Sequence, residues 1–153
     1  AEPQLFHPGD LDYIHSVERI SKLSSVISIN GGVQLDLMGQ ENAESTGTRQ
    51  LSGIGGQMDF LEGAYRSKGG KGFICINSSR VTKDGERKSN ILATIPGGST
   101  ISAPRTMIQY VATEYGIASL SGKTLRERAE AMASIAHPDF REELMKYARE
   151  NFK

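Results

Sequence analysis

The residues best suited to chemistry form a glycine-rich loop, Gly53-Ile54-Gly55-Gly56, which is followed by an apolar pattern typical of a helix. N–H groups at a helix N-terminus are unpaired and carry partial positive charge, and glycines ahead of them let a ligand approach the backbone closely. Such a loop suits a phosphate, a carboxylate or a developing oxyanion. Because turn glycines are common, the pattern alone slightly favours a tight turn that only connects a strand to a helix.

This loop differs from the two common nucleotide-binding loops. It lacks the Lys-Ser/Thr pair of a P-loop, and its glycines do not follow the G-x-G-x-x-G spacing. ATP and NAD are therefore less favoured as ligands than other anions.

Glu114 is the second candidate, since it directly follows a predicted strand, where open α/β sheets place side chains that contact ligands. A surface carboxylate in a turn before Gly116 explains it equally well. Ser78 and Ser79 lack the local sequence of a hydrolase nucleophile. His137, before a proline, is interpreted as a helix-terminus residue, and no spacing of histidines or cysteines indicates a metal site.

Composition sets the broad class of protein. The chain has 153 residues with 18 basic and 18 acidic side chains, so its net charge does not favour nucleic acid or an anionic membrane as a partner. Its single cysteine excludes an internal disulfide and favours a reducing, cytoplasmic location. No apolar run approaches the roughly 20 residues of a membrane span. We expect one domain with small-molecule or protein partners.

The elements that position these residues follow from periodicity. In the first half we predict a helix over 10–22 capped by Asp10, a buried strand over 25–30, a strand over 33–37 with one solvent face, and a helix after the glycine loop. In the second half we predict strands over 73–76, 91–95 and 110–112, with a hairpin turn at 83–86.

The C-terminal third is predicted to be helical. Thr124 and Glu127 fit a capping box, the helix ends at His137-Pro138, and Asp139 with Glu142 starts another. The charged run over 126–130 is interpreted as a solvent-exposed face. Alternating strands and helices predict an α/β fold, an open mixed sheet with helices on both faces.

Three segments together resemble a known family. "INGGVQLDLMGQ" (29–40), "GIGGQMDFLEGA" (53–64) and "VATEYGIASLSGKTLRERAEAMASIAHPDFREEL" (111–144) are similar to the C-terminal domain of the acetyl-CoA hydrolase/transferase family, and within it to 4-hydroxybutyrate CoA-transferases. The resemblance covers nearly the whole chain. Three motifs in the right order are far more specific than the glycines alone.

The resemblance implies a family I CoA-transferase of two open α/β (NagB/RpiA-like) domains, with the site between them, coenzyme A as substrate and no metal. A glutamate attacks an acyl-CoA, holds CoA as a glutamyl thioester and passes it to a short-chain acid such as 4-hydroxybutyrate or acetate. Residues 1–153 are then a C-terminal domain fragment of a homo-oligomeric enzyme, without the N-terminal domain. The alternatives are an acetyl-CoA hydrolase and a non-catalytic acyl-CoA-binding module.

The same resemblance assigns residue roles. Gly56 supplies the key backbone amide and Glu114 supports the reactive centre, so these two are the catalytic candidates. Gly53, Gly55, Gly56, Gln57 and Asn30 are the candidates for binding coenzyme A.

The resemblance implies that the nucleophilic glutamate of the family precedes the glycine loop by more residues than this chain has ahead of Gly53, so we expect it to be absent. Glu41 and Glu44 are not assigned to that role, because the family does not place its nucleophile between the first two motifs. Relatives commonly carry Ser-Ala where this chain has Gly31-Gly32.

Overall fold

Five helices and eleven strands make up residues 8–153, the part of the chain described by this computed structural model; the first seven residues of the predicted 1–153 domain lie outside it. The helices are α1 (Leu11–Ile14), α2 (Val17–Lys22), α3 (Gln57–Arg66), α4 (Leu125–Ser134) and α5 (Pro138–Asn151). The strands are β1 (Ile27–Gly31), β2 (Gln34–Asp36), β3 (Glu41–Asn42), β4 (Ser45–Thr46), β5 (Arg49–Gln50), β6 (Lys71–Cys75), β7 (Ser79–Val81), β8 (Arg87–Ser89), β9 (Ile91–Leu92), β10 (Tyr110–Thr113) and β11 (Gly116–Ser119).

The main sheet has four strands in the order β1-β6-β10-β11. Its first three strands are parallel, and β11 pairs antiparallel with β10. A three-stranded sheet, β3-β2-β9, and two hairpins, β4-β5 and β7-β8, complete the strands. The predicted α/β class with an open mixed sheet is confirmed.

One face of the main sheet forms the core of the molecule. Ile74 and Val111 lie opposite each other on neighbouring strands and are fully buried. They pack in one apolar cluster with Leu61 of α3 and Met132 of α4. This cluster fixes α3, and with it the glycine loop, against the sheet.

The opposite face of the main sheet is open. Ile27, Ile29 and Ile117 are 53, 68 and 64 % exposed. The prediction of a buried strand over 25–30 was therefore wrong for one of its faces, because only the face of β1 that carries Ser28 is turned toward the core. Helices were expected on both faces, whereas in residues 8–153 this face has no helix packed over it.

Strand β2 differs from the prediction of one solvent face. Gln34 and Asp36 are 5 and 0 % exposed, so the alternating polar residues are inside. Asp36 is satisfied locally, because its carboxylate accepts hydrogen bonds from the N–H groups of Met38 and Gln40 at 3.0 and 2.9 Å. The alternation therefore reflects a buried polar turn and not a wet face.

The first predicted helix is divided in two. Helix α1 ends at Ile14, and Ser16 starts α2 by accepting a hydrogen bond from the N–H of Arg19 at 3.4 Å. The Asp10 side chain makes no capping hydrogen bond. Because serine is itself a strong N-cap, it begins a new helix inside the apolar pattern.

The predicted hairpin turn is confirmed, but it joins other strands. Gly85 has φ of +82° in the turn between β7 and β8. Neither of these short strands was predicted, and the strand predicted over 91–95 is the short β9.

The capping box predicted at the start of α4 is confirmed, with Thr124 and Glu127 bonding each other's backbone N–H. The prediction for α5 was wrong in detail. His137 is its N-cap, and the ring Nδ1 accepts a hydrogen bond from the N–H of Asp139 at 3.3 Å. Pro138 occupies the first helical position, where its missing N–H costs nothing.

Arg128 corrects the interpretation of the charged run as a solvent face. Its guanidinium is buried and donates hydrogen bonds of 2.8 Å to the backbone oxygens of Met38, Leu120 and Arg105. Burial lowers the pKa of this guanidinium from its usual value. One arginine therefore fastens three loops to α4, which the helical spacing did not indicate.

Candidate functional site

The carboxyl ends of the three parallel strands meet at one edge of the main sheet. There Gly32, Cys75, Ile76, Asn77, Ala112 and Thr113 line a depression of about 420 Å³. Open α/β sheets bind ligands at this edge, because loops leaving neighbouring strands part there. This depression is the candidate functional site.

Glu114 lies beside the depression, immediately after β10. Its two carboxylate oxygens accept hydrogen bonds from the hydroxyl and the N–H of the buried Ser78, at 2.6 and 2.9 Å. Partial desolvation raises the pKa of Glu114, but the hydrogen bonds from Ser78 outweigh it and, with His137 nearby, hold the pKa below its usual value. Glu114 is thus an ionised carboxylate in a fixed position.

The glycine loop ends at the N-terminus of α3, as predicted. Gly56 is the N-cap, Gly55 has φ of +59°, and no side chain caps this terminus. The N–H groups of the first turn therefore have no side-chain acceptor and can serve a ligand. Helix α3 packs on β6, and a short turn joins the end of α3 to the start of β6. The helix therefore runs antiparallel to the strand. Its N-terminus consequently lies toward the same edge as the depression.

His15 covers one side of the glycine loop, a contact that sequence reasoning missed. A Cβ atom built on Gly56 would lie 2.1 Å from Cε1 of the His15 ring. The ring is held by Asp59, 3.3 Å from Nδ1, and by an edge-on contact with Phe60. Gly56 is therefore required for packing, whereas a Cβ on Gly53 would meet nothing within 4 Å.

Glu41 connects the loop to the depression, and its role was also missed. It is fully buried in β3, and its Oε2 accepts a hydrogen bond from the side-chain amide of Gln57, the first residue of α3. Its other oxygen, Oε1, has no partner and faces Gly32. Burial raises the pKa of Glu41 to about 8. Within a polar sequence stretch, nothing distinguished this carboxyl from an exposed one.

Asn30 lies one residue before the end of β1, as the resemblance implied. Its side-chain Nδ2 donates a 2.8 Å hydrogen bond to the hydroxyl of Ser28. The structure brings together the loop, Gln57 and Glu41 on one side of the site and Glu114 on another. The role of Asn30 stays a prediction.

A larger hollow of about 620 Å³ lies along α1 and α2, lined in part by Tyr13, Arg19 and Leu23. None of the predicted site residues lines it. We place the chemistry at the strand ends because the depression there is lined by Gly32, which Glu41 faces, and by Thr113, which precedes Glu114. In residues 8–153, no three His, Cys, Asp or Glu side chains are grouped to hold a metal ion. Nor is any described helix long and apolar enough to cross a bilayer.

The fold and the site define an open α/β domain that offers backbone N–H groups and a fixed carboxylate at the ends of parallel strands. The family model described as acetyl-CoA hydrolase/transferase C-terminal domain matches residues 3–148. The chain belongs to this family.

Similar proteins agree with this assignment. The chain is 46 % identical over 138 residues to a butyryl-CoA:acetate CoA-transferase of Anaerostipes caccae, a match that covers 90 % of this chain and 31 % of the relative. It is 46 % identical over 142 residues to a 4-hydroxybutyrate coenzyme A transferase of Clostridium kluyveri, covering 93 and 32 %. The crystal structure of RipA from Yersinia pestis superposes with a TM-score of 0.79 at 39 % identity, covering 91 and 30 %. The chain spans about a third of the length of these relatives.

Proposed function

We propose that this chain is the C-terminal part of an enzyme that moves CoA between an acyl-CoA and a short-chain carboxylate such as 4-hydroxybutyrate or acetate. Family membership and relatives named for CoA transfer support the reaction class. The observation that carries the proposal is the uncapped N-terminus of α3 behind the glycine loop, at the edge that also holds Glu114.

In the proposed reaction, a carboxylate oxygen of a glutamate attacks the thioester carbon. A C–O bond forms, the C–S bond breaks, and CoA leaves as a thiolate. The thiolate then attacks the glutamyl carbon of the anhydride, which gives a glutamyl-CoA thioester and frees the first acid. A second acid repeats the two steps in reverse and takes the CoA.

Each attack produces a negatively charged oxygen, which preorganised N–H donors stabilise. The Gly56 N–H is the donor that we assign to this oxygen. Gly53 and Gly55 give the loop its shape, and the open space at both positions leaves room for the ligand. Gln57 faces Glu41 with its amide nitrogen, so we assign it to the wall of the site.

Glu114 supports the centre and is not the nucleophile. Both of its oxygens accept hydrogen bonds from Ser78, which lowers their electron density and fixes the group. Its negative charge instead orients donors around the acyl group.

The nucleophile lies, in this proposal, in the part of the enzyme that precedes this chain. Glu41 is fully buried and Glu44 accepts hydrogen bonds from Ser102 and Gln50, so neither presents a free carboxylate to the depression. An N-terminal domain that carries the glutamate would complete the site. We further propose a cytoplasmic homo-oligomer, for which the exposed apolar sheet face supplies contact surface.

Comparison of the purified chain with the complete enzyme tests this proposal. The chain alone is expected to bind acetyl-CoA weakly without transfer, whereas the complete enzyme transfers CoA from butyryl-CoA to labelled acetate. Transfer by the chain alone that disappears in Glu41→Ala or Glu44→Ala would contradict the account. Binding without transfer by the complete enzyme would indicate an acyl-CoA-binding module, and acyl-CoA loss without an acceptor acid would indicate a hydrolase.

A further inference from the structure

Glu41 is a buried ionisable residue that has no role in the proposed reaction. Its side chain is fully inaccessible, and only one of its two oxygens has a hydrogen-bond partner, the Gln57 amide. Burying a carboxyl with so little compensation is costly, and it is costlier still when the group is charged. The site therefore favours a neutral carboxyl over a charged one.

The slot that holds this carboxyl exists because residue 32 is glycine. A Cβ atom on Gly32 would lie 2.6 Å from Oε1 of Glu41, 3.0 Å from Ile76 and 3.2 Å from Ile74. The carboxyl and the glycine therefore depend on each other. The two isoleucine side chains next to Gly32 offer no hydrogen bond to Oε1.

The charges around the slot favour the neutral acid. Burial raises the pKa of Glu41 to about 8, the hydrogen bond from Gln57 opposes the rise, and the Glu44 carboxylate adds to it. Strand β6 and its extension contribute only Ile74 and Ile76. The titratable pair His15 and Asp59 contacts Gly56 on the other part of the loop.

Protonation decides what the slot can hold. A neutral carboxyl has one O–H donor and one acceptor, and the Gln57 amide, with both a donor and an acceptor, can pair with it. A carboxylate only accepts and needs several donors when buried. The N–H groups at the N-terminus of α3, which no side chain caps, are such a set, and Glu41 contacts the side chain of Gln57, the first residue of that helix.

We propose that Glu41 is a positioning residue for the glycine loop: its protonated carboxyl holds Gln57 in place and keeps negative charge away from the N-terminus of α3. Ionised, it would need further N–H donors, would compete for those at the N-terminus of α3, and would oppose the positive potential that a ligand's anionic oxygen meets at Gly56. The effect on acyl-CoA binding rests on the function proposed above. The effect of Glu41 on the geometry of the glycine loop is independent of that function.

The test is a pH titration of the full chain by NMR between about pH 6.5 and 9.5, without ligand. The Gly56 N–H and the Gln57 side-chain amide are expected to shift together with one midpoint near the pKa of about 8. Glu41→Gln should abolish this step. Glu44→Gln is the matched control and should keep the step at a lower midpoint, because only a like charge is removed.

A step that persists in Glu41→Gln, or no shift of either signal in the wild type, would overturn the proposal. If Glu41→Gln does not fold, the same titration of Gly32→Ala tests the proposal. Its Cβ displaces the carboxyl from the apolar slot, so the midpoint should fall, and an unchanged midpoint would also overturn the proposal.

The dissociation constant for acetyl-CoA gives a second readout. Between about pH 7 and 9 it should rise about fivefold in the wild type and stay constant in Glu41→Gln, since one charge near a helix terminus is worth about that much. At about pH 7, Glu41→Gln should keep wild-type affinity and Glu41→Ala should not. No binding by any variant would refute the proposed function, while the ligand-free titration would still decide the role of Glu41.

Discussion

Two glutamates at the same edge of the sheet have opposite environments. Glu114 is exposed at the end of β10, with both oxygens bound to Ser78 and its pKa held below the usual value. Glu41 is buried beside α3, has one partner, and its pKa is raised to about 8. The comparison shows that burial, opposed by the donors that face the carboxyl, decides the charge of a glutamate, and that its place in the sequence does not.

The largest expected effect is the loss of stability that Glu41 causes as pH rises. Its folded-state pKa of about 8 exceeds the ordinary 4.5. Folding therefore binds a proton, and the free energy of unfolding falls as pH rises from about 4.5 through about 8. The loss attributable to this group amounts to about 4 kcal/mol at about pH 8.

Denaturant unfolding of wild type and Glu41→Gln at about pH 5 and pH 8 measures this loss. The difference between the two proteins should change by that amount in favour of the variant. Glu44→Gln, the control, should show the same fall with pH, slightly reduced because the pKa of Glu41 is lower without the Glu44 charge. If the difference in free energy of unfolding between wild type and Glu41→Gln stays constant with pH, the pKa of Glu41 is not raised, and Glu41 and Glu114 do not differ in charge.

A variant of Arg128 tests whether burial alone is enough to neutralise an ionisable side chain. Unlike Glu41, Arg128 has three backbone oxygens as acceptors. Arg128→Met should therefore lower the free energy of unfolding by about 3 kcal/mol, because the three backbone carbonyl groups around the buried guanidinium lose their donor. Arg126→Met is the control and should cost less than about 0.5 kcal/mol, since Arg126 makes only an exposed pair with Glu130. Equal costs would contradict the role assigned to Arg128.

The glycine loop lies next to Glu41, because Gln57, the residue that follows the loop, bonds the Glu41 carboxyl. Gly56→Ala should cost about 2 kcal/mol, because the new methyl group meets the His15 ring. Adding His15→Ala should recover most of the loss in thermal unfolding, and Gly53→Ala should be close to neutral. The Glu114 titration should be unchanged in all three. Full stability of Gly56→Ala would show that His15 does not lie on the loop.

The smallest effect concerns Ser78. Ser78→Ala removes one of the two donors to Glu114, so the pKa of that carboxyl should rise toward its usual value. The free energy of unfolding should fall by about 1 kcal/mol. A carboxyl-detected NMR titration follows the pKa, with Ser79→Ala as the control. An unmoved pKa would mean that Ser78 does not hold Glu114 ionised.

Local patterns predicted much of the fold. The start of α3 after the glycines, the capping box at Thr124 and the turn at Gly85 are confirmed, because each depends on residues next to one another in the chain. Glu114 could be singled out because it follows a strand. The family resemblance, carried by three separated motifs, is confirmed as well.

Contacts between distant residues could not be predicted. The contacts of His15 with Gly56 and of Arg128 with the carbonyl of Met38 join segments far apart in sequence, and the approach of Gly32 to Glu41 depends on how two short strands fold back on each other. Burial of a charged side chain leaves no local signal, so Glu41 and Arg128 read as polar surface. The open sheet face likewise depends on which side of the sheet the helices pack, and the apolar residues of β1 alone do not show that.

The central claim is that this chain provides the donors of the reaction while the reacting carboxylate lies before it. Trapping the CoA adduct of the complete enzyme during turnover, followed by peptide mass spectrometry, tests this directly. We predict one glutamyl-CoA adduct on a peptide N-terminal to this chain. An adduct on Glu41, Glu44 or Glu114 would contradict the claim.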